Sequence, residues 1–201
     1  GVNPLVGEEQ VGAANAATIP AAGALGLALD RNSGRLFVGD YTGGRVLSWP
    51  SASAFYNAQP ADVVLGKPDE FMTGCDFSRV SSSYLCSAYG VAVDSAGSLY
   101  VADTGNHRVL RFDPPFSTGK AASFVFGQGG SFTSRLVNNG GVSANSLSGP
   151  RSVAVNDTAL FVHDAGNNRI LVYSDPRGDF TADAAIGQAN LTSAAVDPIS
   201  S

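Results

Sequence analysis

The stretch Leu99-Tyr-Val-Ala-Asp-Thr-Gly-Asn-His-Arg-Val-Leu-Arg-Phe112 places two short apolar segments on either side of a polar turn. Short runs rich in Val, Leu and aromatic residues and bounded by turn residues are typical of β-strands with neighbours on both faces. The Asp, Gly and Asn between the two segments are turn-forming residues. The stretch therefore predicts two adjacent antiparallel strands.

The same pair of segments occurs three times, and a strand-like segment lies before and after each pair. We name the four segments strands a, b, c and d, which in the first repeat are Gly26–Asp30, Leu36–Asp40, Arg45–Trp49 and Asp62–Gly66. Equivalent residues recur about every sixty positions. Four short strands per repeat, joined as a meander, predict an all-β fold, a β-propeller of four-stranded antiparallel blades.

The period divides the chain into about three complete blades, at residues 8–66, 67–127 and 128–187. Residues 1–7 resemble the strand-d ending of a preceding blade, and residues 188–201 resemble the start of the next inter-blade loop. An open arc of blades exposes apolar faces at both ends. We therefore expect closure as part of a six-bladed ring or larger assembly, through further blades of a longer chain, a second copy or neighbouring subunits, and we favour the longer chain.

The quoted stretch closely resembles the core of an NHL repeat, and Phe161–Ile170 and Phe37–Val46 carry the same pattern. The resemblance extends over most of the chain, and the blades are similar to the long-blade NHL versions of secreted bacterial proteins. It implies a propeller fold. Some propellers that this chain resembles, including amidating lyases and strictosidine-synthase-like proteins, hold a metal or acid-base residues near the central channel.

The composition excludes two classes of partner. The formal charge of −5 and the isoelectric point near 4.8 leave no cationic field for nucleic acid. No apolar run approaches the 18 residues or so that a membrane-spanning helix needs, so we expect no membrane insertion. The 24 glycines and 10 prolines fit many short strands joined by tight turns.

The ends of the strands indicate where ligands would bind. In an antiparallel meander the b-to-c turns and the long d-to-a loops lie at the same end of the blades, and long loops in compact domains are usually functional. We therefore predict a binding face there. Its candidate residues are Tyr84, Tyr89, Asp103, Asn106, His107, Arg108, His163, Asn167 and Asn168.

The charged residues of the b-to-c turns recur in every blade, which favours a structural role over ligand binding. In that interpretation Asp caps the turn, Gly and Asn adopt positive φ, and Arg pairs with a carboxylate or a backbone carbonyl. The residues concerned are Asp40, Arg45, Asp103, Arg108, Asp164 and Arg169. His163 departs from the repeat, and we favour a packed or hydrogen-bonded position between blades over metal binding.

Cys75 and Cys86 lie close together in a Ser-rich d-to-a loop, and we predict that they form a disulfide. Disulfides persist in oxidising compartments. We therefore expect an extracellular or cell-surface location, with the periplasm as the alternative.

The sequence assigns no catalytic, cofactor-binding or metal-binding residues. Two histidines and the lack of a Gly-x-Ser-x-Gly elbow provide little material for a nucleophile and its base, so we do not expect an enzyme. We expect no cofactor, with Ca²⁺ held by loop oxygens as the exception left open. The predicted function is an extracellular, non-catalytic binding or scaffold module for a protein, a glycan or copies of itself. The alternatives are a subunit of an extracellular filament or surface assembly and a fragment of a propeller lyase or hydrolase with a metal in the central channel.

Overall fold

A computed structural model describes residues 23–196 of the 201-residue chain. The predicted strand-d ending at 1–7, the first part of blade 1 up to residue 22, and the last five residues lie outside this range. The described strands are β1 Ala24–Leu29, β2 Leu36–Asp40, β3 Arg45–Trp49, β4 Val63–Leu65, β5 Ala88–Val93, β6 Leu99–Asp103, β7 Arg108–Phe112, β8 Phe124–Phe126, β9 Ser152–Val155, β10 Leu160–Asp164, β11 Arg169–Tyr173 and β12 Ala184–Ile186. Short 3-10 turns occupy Ala52–Ala54, Thr104–Asn106, Val137–Gly140 and Ala165–Asn167.

The strands form three separate four-stranded sheets. In each sheet, strands that follow one another along the chain pair antiparallel. The β6–β7 pair runs from Leu99 opposite Phe112 to Asp103 opposite Arg108, so the b-to-c turn is closed by an Asp–Arg pair. Blades 1 and 3 repeat this register. The prediction of an all-β fold with four-stranded antiparallel blades is confirmed.

The blades pack face to face across two seams, the first between blades 1 and 2 and the second between blades 2 and 3. Completely buried side chains such as Phe37, Leu110 and Phe112 fill the first seam. Tyr100, Phe126 and other buried residues fill the second. Burying one large apolar side chain contributes roughly 1.5–3 kcal/mol, so these seams are the main source of cohesion between the sheets.

The a strands β1, β5 and β9 lie side by side at the inner edge of the arc. A Cβ on Gly26 would lie 2.5 Å from the carbonyl oxygen of Tyr89, and a Cβ on Gly90 would lie 2.7 Å from that of Arg151. A glycine on the inner strand therefore lets the backbone of the next blade approach closely. Ser152 takes this position in blade 3.

The three described sheets form an open arc and leave apolar side chains exposed at both ends. Leu25, Leu27 and Leu29 are 44%, 71% and 50% exposed on the outer side of blade 1. At the other end, Ile170 and Ile186 are 36% and 54% exposed on blade 3. No helix in residues 23–196 is long and apolar enough to cross a membrane.

Candidate binding face

The b-to-c turns and the d-to-a loops lie together at one end of the blades, as predicted. We call this end the loop face; it consists of the turns at 41–44, 104–107 and 165–168 and the loops at 67–87 and 128–149. The backbone N–H of Gly105 donates to the carbonyl of Cys86, and the N–H of Gly166 donates to that of Ser148. The turns of blades 2 and 3 are thus bonded to the loops that precede their own blades.

An ion pair is buried beneath each turn. Arg Nε lies 2.9 Å from the carboxylate of Asp in the pair Arg45–Asp40, 2.8 Å in Arg108–Asp103 and 2.7 Å in Arg169–Asp164, with all six side chains inaccessible to solvent. In blades 2 and 3 the second carboxylate oxygen accepts from the backbone N–H of Cys86 or Ser148. Because a buried charge is stable only when it is paired and hydrogen-bonded, these contacts account for the residue types.

Arg108 connects two loops as well as pairing with Asp103. Its Nη1 donates to the carbonyl of Phe132 at 2.6 Å, and its Nη2 donates to the carbonyls of Ser81 and Tyr84 at 2.8 Å. Arg169 makes the same set of bonds one blade further on. The arginines therefore hold the loop face in one conformation and have no surface left for a ligand.

The turn asparagines also lie below the surface. Asn106 donates to Asp103 at 2.9 Å, but its side-chain carbonyl oxygen has no hydrogen-bond partner among residues 23–196. Asn167 donates to Asp164 and pairs reciprocally with Asn138 of the adjoining loop. Of the predicted face residues, Asp103, Asn106, Arg108 and Asn167 are thus part of its support.

Positive backbone φ in these turns falls on a Gly or an Asn in blades 1 and 3, as expected, but on His107 in blade 2. It falls on the last residue of each turn, at Gly44 (φ 60°), His107 (φ 54°) and Asn168 (φ 51°), because the chain completes a 3-10 turn before it enters strand c. The preceding Gly105 serves close packing, since a Cβ there would lie 2.8 Å from the carbonyl oxygen of Cys86. This arrangement places the His107 ring on the loop face.

Tyr84 is buried under its loop instead of contributing to the surface. Its ring lies 3.9 Å from the ammonium of Lys67, and its hydroxyl accepts from the backbone N–H of Asp76. Lys67 is inaccessible and donates to the carbonyl of Leu85 at 2.7 Å. Burial lowers the pKa of Lys67 to about 8, and the neighbouring Asp103 opposes that shift.

Cys75 and Cys86 form a disulfide within the d-to-a loop. Cys86 is buried against the turn of blade 2, where its sulfur lies 2.7 Å from the position that a Cβ on Gly105 would take. The disulfide therefore fixes the loop directly against the b-to-c turn.

The two seams differ where they reach the loop face. At the first seam the rings of Tyr41 and Tyr89 meet edge to face, with centroids 5.4 Å apart. Thr104 and Arg151 replace them at the second seam, and a cleft of about 260 Å³ opens there, lined by Thr104, His107, Ser148, Gly149, Arg151, Ala165 and Gly166. We call this the second-seam cleft.

His107 is held in a defined orientation in the second-seam cleft. Its Nδ1 accepts a hydrogen bond from the backbone N–H of Gly149 at 2.9 Å, so the proton of the neutral ring resides on Nε2. Burial, followed by the nearby Arg135, lowers the pKa of His107. The ring is therefore neutral near pH 7 and presents a single N–H donor.

Comparison with known proteins agrees with this architecture. The family model described as NHL repeat matches residues 85–112, which extend from the end of the disulfide loop through β5, β6 and β7. The chain carries an NHL repeat. A search of curated proteins found no match.

Among solved structures, the chain is similar to hydrazine synthase of Kuenenia stuttgartiensis, with a TM-score of 0.54 and 12% identity over 85% of this chain and 37% of that one. It also matches glutaminyl cyclase of Myxococcus xanthus, with a TM-score of 0.45 and 13% identity over 81% of this chain and 51% of that one. The chain spans little more than a third of the synthase chain and about half of the cyclase chain. At this identity the likeness to the synthase concerns the fold alone.

The remaining predicted face residues lie apart from one another on the blades. Tyr89 packs on Tyr41 at the first seam. His163 is exposed on the outer side of blade 3, beside Ile170 and Ile186, so among the described residues it does not lie between two blades. Asn168 is exposed and donates to the carbonyl of Ala194. The second-seam cleft also contains a predicted histidine, so residue type alone does not show which predicted residues line the cleft.

A larger cavity, of about 380 Å³, lies at the opposite end of the blades, where the a-to-b turns of all three converge. Two of its three carboxylates already have partners: Asp94 binds Arg177 at 2.8 Å, and Asp30 accepts from its own turn at Asn32 and Ser33. Within residues 23–196, no three His, Cys, Asp or Glu side chains converge as a metal site would require. We therefore regard the loop face as the better candidate.

Proposed function

We propose that the chain is an extracellular, non-catalytic binding or scaffold module without a resident cofactor, and that its loop face contacts the ligand. One observation carries the proposal: buried arginines and a disulfide hold the two long loops rigidly to the blades. A preorganised surface loses little conformational entropy on binding, which favours a recognition role.

The partners that fit this surface are a protein, a glycan or another copy of the chain. The acidic charge of −5 argues against nucleic acid. The disulfide supports an oxidising compartment. Exposed apolar residues next to polar cleft residues suit a protein partner in particular, and Leu136 and Val137 of the loop face are 63% and 55% exposed.

The proposal is tested by the binding of fluorescently labelled chain to the surface and secreted material of the producing cells. Val137→Asp changes the loop face, and Tyr56→Asp is the matched control, since Tyr56 is 62% exposed in a c-to-d connection at the opposite end. We expect Val137→Asp to weaken binding about tenfold, the effect of one moderate interface residue. Equal effects of both variants, or no binding by the unmodified chain, would reject a role for the loop face.

A second candidate function, that of a subunit in an extracellular filament or surface assembly, is favoured by the apolar residues at the two ends of the arc. Leu27 is 71% exposed at one end and Ile186 is 54% exposed at the other. Open arrays need such faces to be covered. Light scattering and negative staining should then show oligomers, whereas a stable, monodisperse 20.5 kDa monomer would exclude this function.

A further inference from the structure

The second-seam cleft is the place where the loop face departs from its own repeat. Tyr41 and Tyr89 fill the first seam with an aromatic pair. At the second seam the equivalent positions hold Thr104 and Arg151, and His107 replaces Gly44. Three substitutions therefore remove apolar surface and add polar groups at one location. The first seam is packed without these polar groups, so packing between blades does not explain the three substitutions.

Two polar groups of the cleft, the ring of His107 and the guanidinium of Arg151, include hydrogen-bond donors without acceptors among residues 23–196. His107 uses Nδ1 to accept from Gly149, which leaves its Nε2–H without a partner among residues 23–196. The guanidinium of Arg151 makes no hydrogen bond or ion pair within the same residues. Thr104 donates its hydroxyl proton to the carbonyl of Pro150 at 2.6 Å and lines one wall.

The surroundings of the cleft are cationic although the chain is acidic. Arg135, which lies close enough to influence His107, stacks on the ring of Phe77 at 4.8 Å and has no carboxylate partner among the described residues. The nearest aspartates, Asp103 and Asp164, are neutralised by buried arginines. A planar guanidinium next to an imidazole N–H matches the two oxygens of a carboxylate.

We propose that the second-seam cleft binds the carboxylate of an acidic residue in a peptide segment of a protein partner, an inference that rests on the proposed binding function. The cleft, at about 260 Å³, is smaller than a pocket for a whole drug-sized ligand. It therefore suits a single side chain that is attached to a larger molecule.

The apolar residues next to the cleft favour a peptide over an acidic sugar. Gln128 bonds to the carbonyls of both His107 and Leu136, at 2.9 and 3.0 Å, and so places the exposed Leu136 and Val137 beside the cleft. Aliphatic side chains pack on apolar residues of a peptide and offer little to a polar sugar ring. The expected ligand is thus an acidic residue with apolar neighbours.

The test is an NMR titration of the two histidine rings with acetyl-Leu-Glu-Leu-amide. Only His107 lies in the cleft, and His163, the other histidine of the chain, serves as an internal control. Acetyl-Leu-Gln-Leu-amide removes the charge at constant shape, and glucuronate supplies a carboxylate on a sugar. Arg151→Gln tests the cleft, and Arg31→Gln is the matched control, because Arg31 is exposed and unpaired at the opposite end within the described range.

We expect the glutamyl peptide to shift the His107 resonances alone and to bind at least about tenfold more tightly than the glutaminyl peptide. Arg151→Gln should remove about tenfold of the affinity, and Arg31→Gln should leave it unchanged. Equal shifts at His163, equal binding of the two peptides, or binding of glucuronate as tight as that of the glutamyl peptide would each overturn the inference. If the peptide fails while Val137→Asp still lowers surface binding, the carboxylate inference fails and the proposed function stands.

Discussion

Replacement of Arg108 by alanine should destabilise the folded chain severely. The variant leaves Asp103 as a buried, unpaired carboxylate and frees the carbonyls of Ser81, Tyr84 and Phe132, all of which Arg108 binds at 2.6–2.8 Å. Removing one partner of a buried ion pair costs about 3–5 kcal/mol. Since domains are stable by only about 5–15 kcal/mol, we expect loss of a large part of the folding free energy.

The measurement is urea unfolding followed by circular dichroism. Arg79→Ala is the matched control, because the Arg79–Asp76 pair has a similar geometry but lies in solvent, and we expect its unfolding midpoint to stay close to that of the unmodified chain. Arg108→Lys keeps the charge but cannot reach all the acceptors, so its stability should be intermediate. A change below about 1 kcal/mol for Arg108→Ala would refute the structural role and return this arginine to the candidates for ligand binding.

Four further outcomes are expected. Gly90→Ala should cost about 1–3 kcal/mol in unfolding experiments, because its Cβ would lie 2.7 Å from the backbone of the next blade, whereas Gly141→Ala, with no atom within 4 Å, should be neutral; equal effects would contradict the close approach of the blades. Reduction of the Cys75–Cys86 disulfide should cost roughly 2–3 kcal/mol for a ring of about a dozen residues, and two free thiols in protein isolated without reductant would exclude the bond. Between pH 8 and 10 the unfolded chain retains a proton that Lys67 has lost in the folded state, so stability should rise by at most about 1.4 kcal/mol per pH unit and should lose this rise in Lys67→Gln. Metal analysis should find no stoichiometric zinc or iron, and finding either would support the enzyme alternative.

The sequence predicts the strands well where apolar residues alternate without interruption. Strands b and c, such as Leu99–Asp103 and Arg108–Phe112, have the predicted bounds in each described blade. Strand a begins two residues early at Ala24 and Ala88, where an irregularity in the pairing extends the strand. Such irregularities depend on the twist of the sheet and leave no residue pattern of their own.

The sequence predicts which end of the blades carries the candidate site, but it does not predict where the cleft lies at that end. The meander places His107 and Arg151 at the same end of the blades, but their approach across a seam depends on how one sheet is offset against the next. The signal that was available is the break in the repeat: Thr104 and Arg151 stand where the first seam has Tyr41 and Tyr89. Tyr84, by contrast, belongs to the predicted binding face, but it is buried and its ring packs against the ammonium of Lys67.

The acceptors that Arg108 binds on the two long loops are all main-chain carbonyls, those of Ser81, Tyr84 and Phe132. Every amino acid supplies the same carbonyl, so the exposed side chains of these loops are free to change without loss of the bonds that fix the loops. The arrangement separates the residues that maintain the scaffold from those that select a partner. New specificities can therefore arise, or be introduced by loop grafting, through substitution of loop side chains alone.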